Sequence, residues 1–304
     1  MSRLLVIANP KAGRHEGERT ATSLRDALER DGHEIRIRFT TGPGHATDIA
    51  KKEAGDFDAV FSVGGDGTLR EVIGGLLNHE NIPVGIIPLG CANVLARELN
   101  IPRRHPIQAA RRLLEGSTVA ADIGLAGKRP FLANVGAGFD ARVVKALHEN
   151  RGRRGRGMGM AAYLPIGTKV LLGFRTPKLF VKTDGGERVG PFHSITVCNT
   201  ANYGGIMRLT PEAKLDDGLL DCHVRRGRGR RTVIRQVACA LLGRADSGRA
   251  RVLRGQRFTI SSDDASEPYQ IDGDPGGVLP VDVRLSGRRQ ILMTPARAER
   301  EERR

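Results

Sequence analysis

The stretch from Asp58 to Leu77, DAVFSVGGDGTLREVIGGLL, decides the fold. Its first part, Asp58–Val63, is an apolar run with the length of a buried strand, and Leu69–Leu77 carries apolar residues at helical spacing. Between them lie three glycines and one aspartate, Asp66. A strand that leads through a short turn into a helix is the repeating unit of a parallel sheet covered by helices. The stretch therefore predicts an α/β domain.

The turn inside this stretch predicts a phosphate site. The N–H groups at a helix N-terminus attract anions, and glycine lets the backbone approach phosphate oxygens closely. The spacing matches neither the Walker loop nor GxGxxG. A carboxylate beside a phosphate is unfavourable unless it holds a metal or accepts a proton, so Asp66 favours phosphoryl transfer over simple phosphate binding. Thr68 and Glu71 also fit a helix-capping box, which would need no further role for them.

The same alternation of strand and helix continues on both sides. We predict further strands at 3–8, 35–39 and 83–87, and helices at 18–31, 45–53, 93–99 and 106–115. Three more turns follow predicted strands: Asn9–Gly13 (NPKAG), Thr41 at the start of TGPGHA, and Pro88–Asn93 (PLGCAN). Parallel sheets bind their ligands at the carboxyl ends of their strands. We therefore expect four loops to meet at one edge of the sheet.

After about Asp122 the pattern changes to short apolar segments separated by Gly, Asp and Pro. Such segments predict an antiparallel sandwich or barrel. We place the boundary near Gly124–Gly127, which gives an α/β domain over 1–124 and a β domain over 125–288. The last predicted strand, Gln290–Met293, lies in the segment 289–304, which either packs back on the first domain or frays.

Composition limits the partners. The chain has 304 residues, and 49 Lys and Arg against 34 Asp and Glu give a net charge of +15, which favours anionic partners such as acidic lipid headgroups, polyphosphate or nucleic acid. Aromatic residues make up 4% and Trp is absent, which weakens a reading based on stacked bases. The four cysteines (Cys91, Cys198, Cys222, Cys239) are far apart, which argues against zinc and against a disulfide framework and favours a reducing cytoplasm.

Two basic clusters precede apolar segments. Arg151–Arg156 precedes MGMAAYLPIGTKVLLGF, and Arg225–Arg231 precedes Thr232–Leu242. One interpretation is a core helix with solvated arginines around it. The other is an interfacial element that places arginine on anionic headgroups and apolar residues at the acyl boundary. No run of 18 apolar residues occurs, so we expect any work on lipid to be done from the membrane surface.

Together these blocks resemble a known family. NPKAG, TTGPGHA, SVGGDGTLREVIGGL and GIIPLGCANVLAREL, followed by FLANVGAGFDARVV, VCNTANYGGIMRLTPEAKLDDGLLD and QIDGDPGGVLPVDV, are similar to the successive motifs of the diacylglycerol kinase catalytic family. The resemblance covers nearly the whole chain. It implies an N-terminal α/β domain with a parallel sheet and a C-terminal antiparallel β-sandwich. It also implies ATP and Mg²⁺ as cofactors and transfer of the γ-phosphate to a lipid hydroxyl, most simply that of diacylglycerol.

The resemblance also implies roles for individual residues. Asp274 would accept the proton of the lipid hydroxyl, helped by Asp272 or Asp66, and Asp122 would lie near the lipid acceptor. A structural magnesium site, separate from that of ATP, would use Asp217 with the carbonyls of Lys214 and Leu219. The residues implied to line the nucleotide are Asn9, Pro10, Lys11, Ala12, Gly13, Thr41, Gly64, Gly65, Asp66, Gly67, Thr68, Leu69, Arg70, Glu71, Cys91 and Asn93.

Three positions depart from the bacterial members of the family. Cys91 stands where they usually have threonine and lacks its hydroxyl, and Val94 stands where they usually have aspartate. The branch of sphingosine kinases also lacks an acid at that second position, so the change bears on the substrate. Asp274 stands where they usually have glutamate, and it is one methylene shorter.

Several alternatives stay open at this point. An NAD kinase also uses a GGDGT loop, the charge of +15 with RGRRGRG prompts a nucleic-acid-binding protein, and a non-enzymatic lipid sensor would follow if the three departures disabled catalysis. The expected partner is lipid at an anionic membrane surface rather than nucleic acid. The expected location is the cytoplasm, in peripheral contact with the inner face of the membrane, and a homodimer is compatible with the sequence.

Overall fold

The computed structural model describes residues 1–154, 163–205, 207–227, 229–241 and 250–296. The chain forms two compact units. Unit 1 comprises Met1–Ala121 with the C-terminal segment from Arg288, and unit 2 comprises Asp122–Gly287. These limits lie one to three residues from the predicted domain limits.

Unit 1 is built on a parallel sheet. Its strands are β1 (Arg3–Ala8), β2 (Glu34–Phe39), β3 (Ala59–Gly64), β4 (Val84–Pro88) and the beginning of β5 (Ser117–Ala126). Its helices are α1 (Ala12–His15), α2 (Gly17–Arg30), α3 (His45–Glu53), α4 (Asp66–Gly75), α5 (Val94–Glu98) and α6 (Pro106–Leu114), with a 3-10 turn at Ala54–Asp56. The strand order is β2-β1-β3-β4, and all these neighbours are parallel. The predicted α/β domain is confirmed.

The central strands of this sheet are buried on both faces. From Leu4 to Ala8 the exposed fraction of β1 is 0%, as expected of a parallel strand with helices on either side. The helices bury one face each: in α2 the buried residues include Ala21, Leu24 and Leu28, at spacings of three and four. Helix α4 begins at Asp66, three residues before the predicted start.

Unit 2 is a β domain whose described residues include three helices. Its helices are α7 (Phe139–Arg154), α8 (Tyr163–Gly173) and α9 (Arg230–Leu241). Its strands after β5 are β6 (Arg129–Phe131), β7 (Asn134–Gly138), β8 (Leu179–Thr183), β9 (Arg188–Phe192), β10 (Ser194–Cys198), β11 (Asn202–Tyr203), β12 (Met207–Arg208), β13 (Leu220–Arg225), β14 (Ala250–Gly255), β15 (Arg257–Ser262), β16 (Pro268–Ile271), β17 (Asp274–Val278) and β18 (Val281–Thr294).

The strands of unit 2 form two main antiparallel sheets around one core. One sheet has the order β14-β13-β10-β7-β16-β17, and the other contains the first part of β18 followed by β15, β8 and β9. Both sheets contribute to a single apolar cluster that includes Phe131, Val197, Cys222 and Phe258. The predicted antiparallel sandwich is confirmed. The 16-residue helix α7 begins in FDARVV, where the sequence pattern predicts no helix.

Strand β18 is longer than the last predicted strand, Gln290–Met293, which forms only its end. It is one 14-residue strand that contains Gly287 at a φ of +75°, a conformation that favours glycine. Its first part pairs with β15 in unit 2, and Leu292 pairs with Val84 of β4 in parallel. Strand β5 also passes from one unit into the other. In the described part of the chain, no helix is long and apolar enough to cross a membrane.

Candidate active site

Three of the four predicted loops of unit 1 meet at the carboxyl ends of neighbouring strands. The loops after β1, β3 and β4 are linked by main-chain hydrogen bonds from Asn9 N–H to the Val63 carbonyl (3.0 Å) and from Leu89 N–H to the Gly64 carbonyl (2.7 Å). A Cβ atom added to Gly65 would lie 3.2 Å from the Cα atom of Gly90. The loops approach this closely because glycine occupies both facing positions.

Asp66 connects two of these loops. It is the first residue of α4, and its Oδ1 accepts a hydrogen bond from Val94 N–H at 2.8 Å. One oxygen of this carboxylate therefore fixes the loop after β4. The departure at Val94 leaves this contact intact, because the donor is a backbone group that any residue except proline supplies.

The loop after β4 is closed by Asn93. Its Oδ1 accepts from Gly90 N–H (2.9 Å), and its Nδ2 donates to the Gly90 carbonyl (2.7 Å). Asn93 has a φ of +47° and is 5% exposed, so it serves as a structural clasp in a left-handed conformation that asparagine tolerates. Cys91 lies in the same loop and is exposed.

The NPKAG loop makes an unusual turn. Asn9 Oδ1 accepts from Lys11 N–H at 3.0 Å, and the next residues, Gly13, Arg14 and His15, have φ values of +61°, +61° and +74°. Positive φ is costly for residues other than glycine, so a turn of this kind is a strained segment. It brings Gly13 against Leu89, because a Cβ atom on Gly13 would lie 3.3 Å from that of Leu89.

The predicted capping box is wrong. Helix α4 has Gly65 at its N-cap, so Thr68 lies inside the first turn and is buried. The Glu71 carboxylate instead accepts from Ala46 N–H (3.3 Å), in the first turn of α3. The Leu69 side chain is 2% exposed and lies in the core, so any contact of Leu69 with a nucleotide would have to come from its backbone.

Thr41 is held by the helix that follows it. Its N–H donates to His45 Nδ1 at 3.0 Å, and its hydroxyl lies 3.0 Å from the same nitrogen. Both contacts connect Thr41 to α3.

Arg97 is a residue that the sequence reasoning missed. It lies in α5, is partly buried, and donates from Nε to the Ala92 carbonyl at 2.9 Å. Burial lowers the pKa of its guanidinium, Arg103 lowers it further, and the negative charge of Asp66 opposes the shift. The loops therefore contain a fixed positive charge near Asp66. The only signal in the sequence was an arginine in a short helix directly after the third loop.

In unit 2 the predicted catalytic pair lies in a tight hairpin. Asp272 and Gly273 have φ values of +49° and +83°, and they join β16 to β17 as the two central residues of a type I′ turn. The Asp272 carboxylate accepts three backbone N–H groups, those of Leu132, Ala133 and Asn134, each at 2.9 Å. This carboxylate holds the turn. Asp274 follows at the start of β17 and is partly exposed.

A buried polar network supports this hairpin. Gln270 donates from Nε2 to Asn134 Oδ1 (2.7 Å) and accepts at Oε1 from Gly273 N–H (2.7 Å). The same Nε2 lies 3.4 Å from Asp140 Oδ2, which accepts a 2.6 Å hydrogen bond from the Tyr203 hydroxyl. Burial raises the pKa of Asp140, although the hydrogen bond from Tyr203 opposes this.

Asp122 anchors the loop predicted to bind metal. Its Oδ2 accepts from Gly218 N–H (2.7 Å), and its own N–H donates to the Leu215 carbonyl (2.6 Å). Asp122 is 5% exposed. The structure thus brings Asp122, which is predicted to lie near the lipid acceptor, together with the segment 214–219 within unit 2.

Strand β13 of unit 2 carries a buried histidine. His223 is 6% exposed, and burial lowers its pKa to about 4, with smaller contributions from the positive charge of Arg225 and from His193. Arg225 is itself 3% exposed, so it does not belong to a solvated basic cluster. The cluster 151–156 extends into residues outside the described ranges, and the apolar segment that follows it is described only from residue 163.

Comparison with known proteins identifies both units. Residues 3–126 match the family described as "Diacylglycerol kinase catalytic domain", and residues 133–292 match the "YegS C-terminal NAD kinase beta sandwich-like domain". The chain is 30% identical to a diacylglycerol kinase of Bacillus subtilis (strain 168) over 98% of this chain and 99% of that protein. It is 28% identical to one of Staphylococcus carnosus (strain TM300), over 92% and 90% of the two chains.

A solved structure shares the fold. The crystal structure of a diacylglycerol kinase from Bacillus anthracis str. Sterne superimposes with a TM-score of 0.74, covering 96% of each chain at 24% identity. The match of both domains and the full-length relative confirm the family indicated by the sequence motifs. The chain belongs to the diacylglycerol kinase family.

Proposed function

We propose that the protein is an ATP-dependent lipid kinase that transfers the γ-phosphate to the hydroxyl of diacylglycerol or a related lipid. The observation that carries this is the meeting of three glycine-containing loops after β1, β3 and β4 around Asp66. Family membership supports it, since the relatives are named diacylglycerol kinases.

The residues of unit 1 fit a triphosphate. In the described chain no side chain caps the N-terminus of α4, and its dipole favours an anion there. A Cβ atom on Gly65 or Gly90 would fill the space between their two loops. Mg²⁺ carried with ATP would neutralise charge on the phosphates. Among the residues of these loops, Asp66 is the carboxylate that we propose would hold this ion. Arg97 adds fixed positive charge near Asp66.

In the reaction we propose, the lipid hydroxyl oxygen forms a bond to the γ-phosphorus while the bond from the γ-phosphorus to the bridging oxygen breaks and ADP leaves. Asp274 takes the hydroxyl proton. Asp272 does not share this role in our proposal, since three backbone N–H groups occupy its carboxylate. Positioning and charge stabilisation supply most of the catalysis, as in phosphoryl transfer generally.

A panel of acceptors tests this function. The purified chain is incubated with radiolabelled ATP, Mg²⁺ and, separately, diacylglycerol in mixed micelles, a sphingoid base, phosphatidylglycerol and NAD. We expect labelled product with diacylglycerol or a related lipid, and none with NAD. Asp274→Asn should lower kcat by about 10²- to 10⁴-fold. Asp263→Asn, an exposed carboxylate of the same unit, is the matched control. Labelling of NAD alone would contradict the proposal.

We further propose that a basic and apolar surface of unit 2 contacts anionic membrane at the inner face of the cytoplasmic membrane. The hydrogen bond from Gly229 N–H to Thr176 Oγ1 (2.8 Å) links the end of α8 to the start of α9. There Leu172 and Ile234 are 66% and 52% exposed. Exposed basic residues in the same segments of the chain include Arg175, Arg226, Arg230, Arg231 and Arg235. Arginine beside exposed apolar residues suits anionic headgroups over acyl chains.

Sedimentation with vesicles tests this surface. The wild-type chain should bind vesicles that contain phosphatidylglycerol more strongly than vesicles of phosphatidylcholine alone. Arg230→Gln/Arg231→Gln should weaken binding by roughly fivefold to thirtyfold, at about 1 kcal/mol per arginine. Arg19→Gln/Arg30→Gln, in exposed positions of α2, is the control. Binding that ignores anionic lipid would contradict the proposal.

A further inference from the structure

The segment 214–221 carries three carboxylates close together in sequence, and the family resemblance places a structural magnesium there. Among the described residues, no group of three or more His, Cys, Asp and Glu side chains is arranged to hold a metal ion. The implied magnesium site has a single carboxylate, Asp217, so the contacts of that side chain decide whether it fits the ion. Its Oδ1 accepts from Leu219 N–H (3.1 Å), and its Oδ2 accepts from Arg254 Nη2 (2.7 Å). Both oxygens already have protein donors.

Arg254 also contacts a second carboxylate. Its Nε lies 3.0 Å from Asp221 Oδ1, and the Asp221 side chain is 1% exposed. This position follows from the strand register, because Asp221 of β13 is directly opposite Arg254 of β14. One guanidinium therefore serves two carboxylates, one of them buried. A buried carboxylate needs a paired positive charge, and a planar guanidinium with several donors can supply it to two acceptors at once.

The local charges disfavour a second cation. A Mg²⁺ ion on Asp217 would lie beside a guanidinium already hydrogen-bonded to the same carboxylate, and like charges at such short separation repel. Mg²⁺ also requires near-octahedral oxygen ligands, whereas both Asp217 oxygens accept N–H groups here. The residues as they stand do not fit the implied metal.

We propose that the Arg254 guanidinium takes the place of a divalent cation at Asp217 and Asp221, so that unit 2 of this chain needs no bound Mg²⁺ for its stability. The positive charge is built into β14. It stabilises the loop whose Gly218 N–H donates to Asp122. The proposal concerns this segment alone and is independent of the kinase activity.

Thermal unfolding without nucleotide tests it. The full wild-type chain and Asp217→Asn are each unfolded in about 1 mM EDTA and in about 10 mM MgCl₂. The MgCl₂ concentration is on the order of that which saturates weak Mg²⁺ sites. We expect wild type and Asp217→Asn to show the same change in Tm between the two solutions. A Tm increase in wild type that Asp217→Asn abolishes would overturn the proposal.

The charge of Arg254 is tested by its removal. Arg254→Gln should lower Tm in EDTA by about 5–10 °C, because it leaves two carboxylates without their cation. MgCl₂ should recover part of this loss in a saturable manner, and adding Asp217→Asn should abolish the recovery. Arg254→Lys, which keeps the charge, should lose less than Arg254→Gln.

The matched control is Arg257→Gln. Arg257 pairs with Asp282 at 2.7 Å, and its side chain is 55% exposed. We expect a small loss of Tm and the wild-type response to MgCl₂. A loss of Tm in Arg254→Gln no larger than that in Arg257→Gln would overturn the proposal. If Arg254→Gln fails to fold, the comparison of wild type with Asp217→Asn still tests it, because a Tm increase in MgCl₂ that Asp217→Asn abolishes would overturn the proposal.

Discussion

The two units hold their candidate carboxylates by different means. In unit 1, Asp66 accepts a backbone N–H from a neighbouring loop, and close contact between Gly65 and Gly90 brings the loops together. In unit 2, Asp272 accepts three backbone N–H groups, and buried side chains of Gln270 and Asp140 support the same hairpin. An aspartate followed by a glycine is thus no evidence of catalysis by itself. The three amides that it accepts mark Asp272 as a residue that holds a turn.

The largest effect expected from this difference is on stability at Asp272. Asp272→Ala should lower the free energy of unfolding by about 3–5 kcal/mol, because three N–H donors lose their shared ionised acceptor. Urea unfolding followed by circular dichroism measures it. Asp263→Ala, an exposed position in the same unit, should change stability by less than about 0.5 kcal/mol. A loss as small as that at Asp272 would contradict the structural role.

The next effect concerns the buried histidine of unit 2. The folded pKa of His223 is about 4, below its ordinary value of 6.5, so the unfolded chain binds a proton first as the pH falls. The contribution of His223 to the free energy of unfolding is fully present above pH 6.5 and is lost as the pH falls towards 4. Between pH 7.5 and pH 5 we expect about 2 kcal/mol of loss, at about 1.4 kcal/mol per unit.

The corresponding variant is His223→Gln, which should remove that share of the pH dependence. Unfolding in urea at the two pH values measures it. His105→Gln, exposed in unit 1, should leave the pH dependence unchanged. An identical slope in wild type and His223→Gln would show that burial does not shift this group.

A smaller stability effect is expected at Asp66, together with a larger one on activity. Asp66→Ala should cost about 1.5 kcal/mol of stability, since it loses a hydrogen bond to a charged acceptor. Under the proposed function its kcat should fall at least about 100-fold. Asp66→Asn, which keeps an acceptor for Val94 N–H, should retain more stability and still lose activity. Near-wild-type turnover in Asp66→Asn would remove Asp66 from the catalytic group.

The smallest effect is a pH-dependent difference at Asp140. Its raised pKa means that the folded state holds the proton to higher pH than the unfolded state, so the ionised carboxyl lowers stability as pH rises above 3.8. Asp140→Asn does not titrate, so its stability relative to wild type should increase from pH 4 to pH 8. A difference that is constant with pH would show that Asp140 is not affected by burial.

The sequence predicted the elements of unit 1 well because they repeat one local pattern, in which a buried strand leads through a short turn into an amphipathic helix. Strand β1 and helix α3 have the predicted bounds, and the loops follow strands as expected. The role of Glu71 was wrong because its spacing from Thr68 also fits a capping box, whereas the actual acceptor contact is to Ala46 in another helix. Spacing along one segment cannot report a partner 25 residues away.

Unit 2 was less predictable because its polar contacts join distant segments. Asp140 and Gln270 are 130 residues apart, and Asp272 is 138 residues from Asn134. The Asp272–Gly273 pair was the strongest local signal for a two-residue hairpin turn. The family resemblance pointed to catalysis at that position, and the turn chemistry explains why one of its two aspartates is structural.

Because strand β18 returns to unit 1 after the whole of unit 2, a ribosome completes unit 2 before it releases the last strand of unit 1. Helices and strands up to Ala121 can form first, but Leu292 then has to reach Val84. Domains generally fold during synthesis from the N-terminus onwards. Strand β4 therefore lacks its partner β18 until residues 288–294 have been synthesised, and the unpaired edge of β4 is where a chaperone or a misfolded neighbour would first compete.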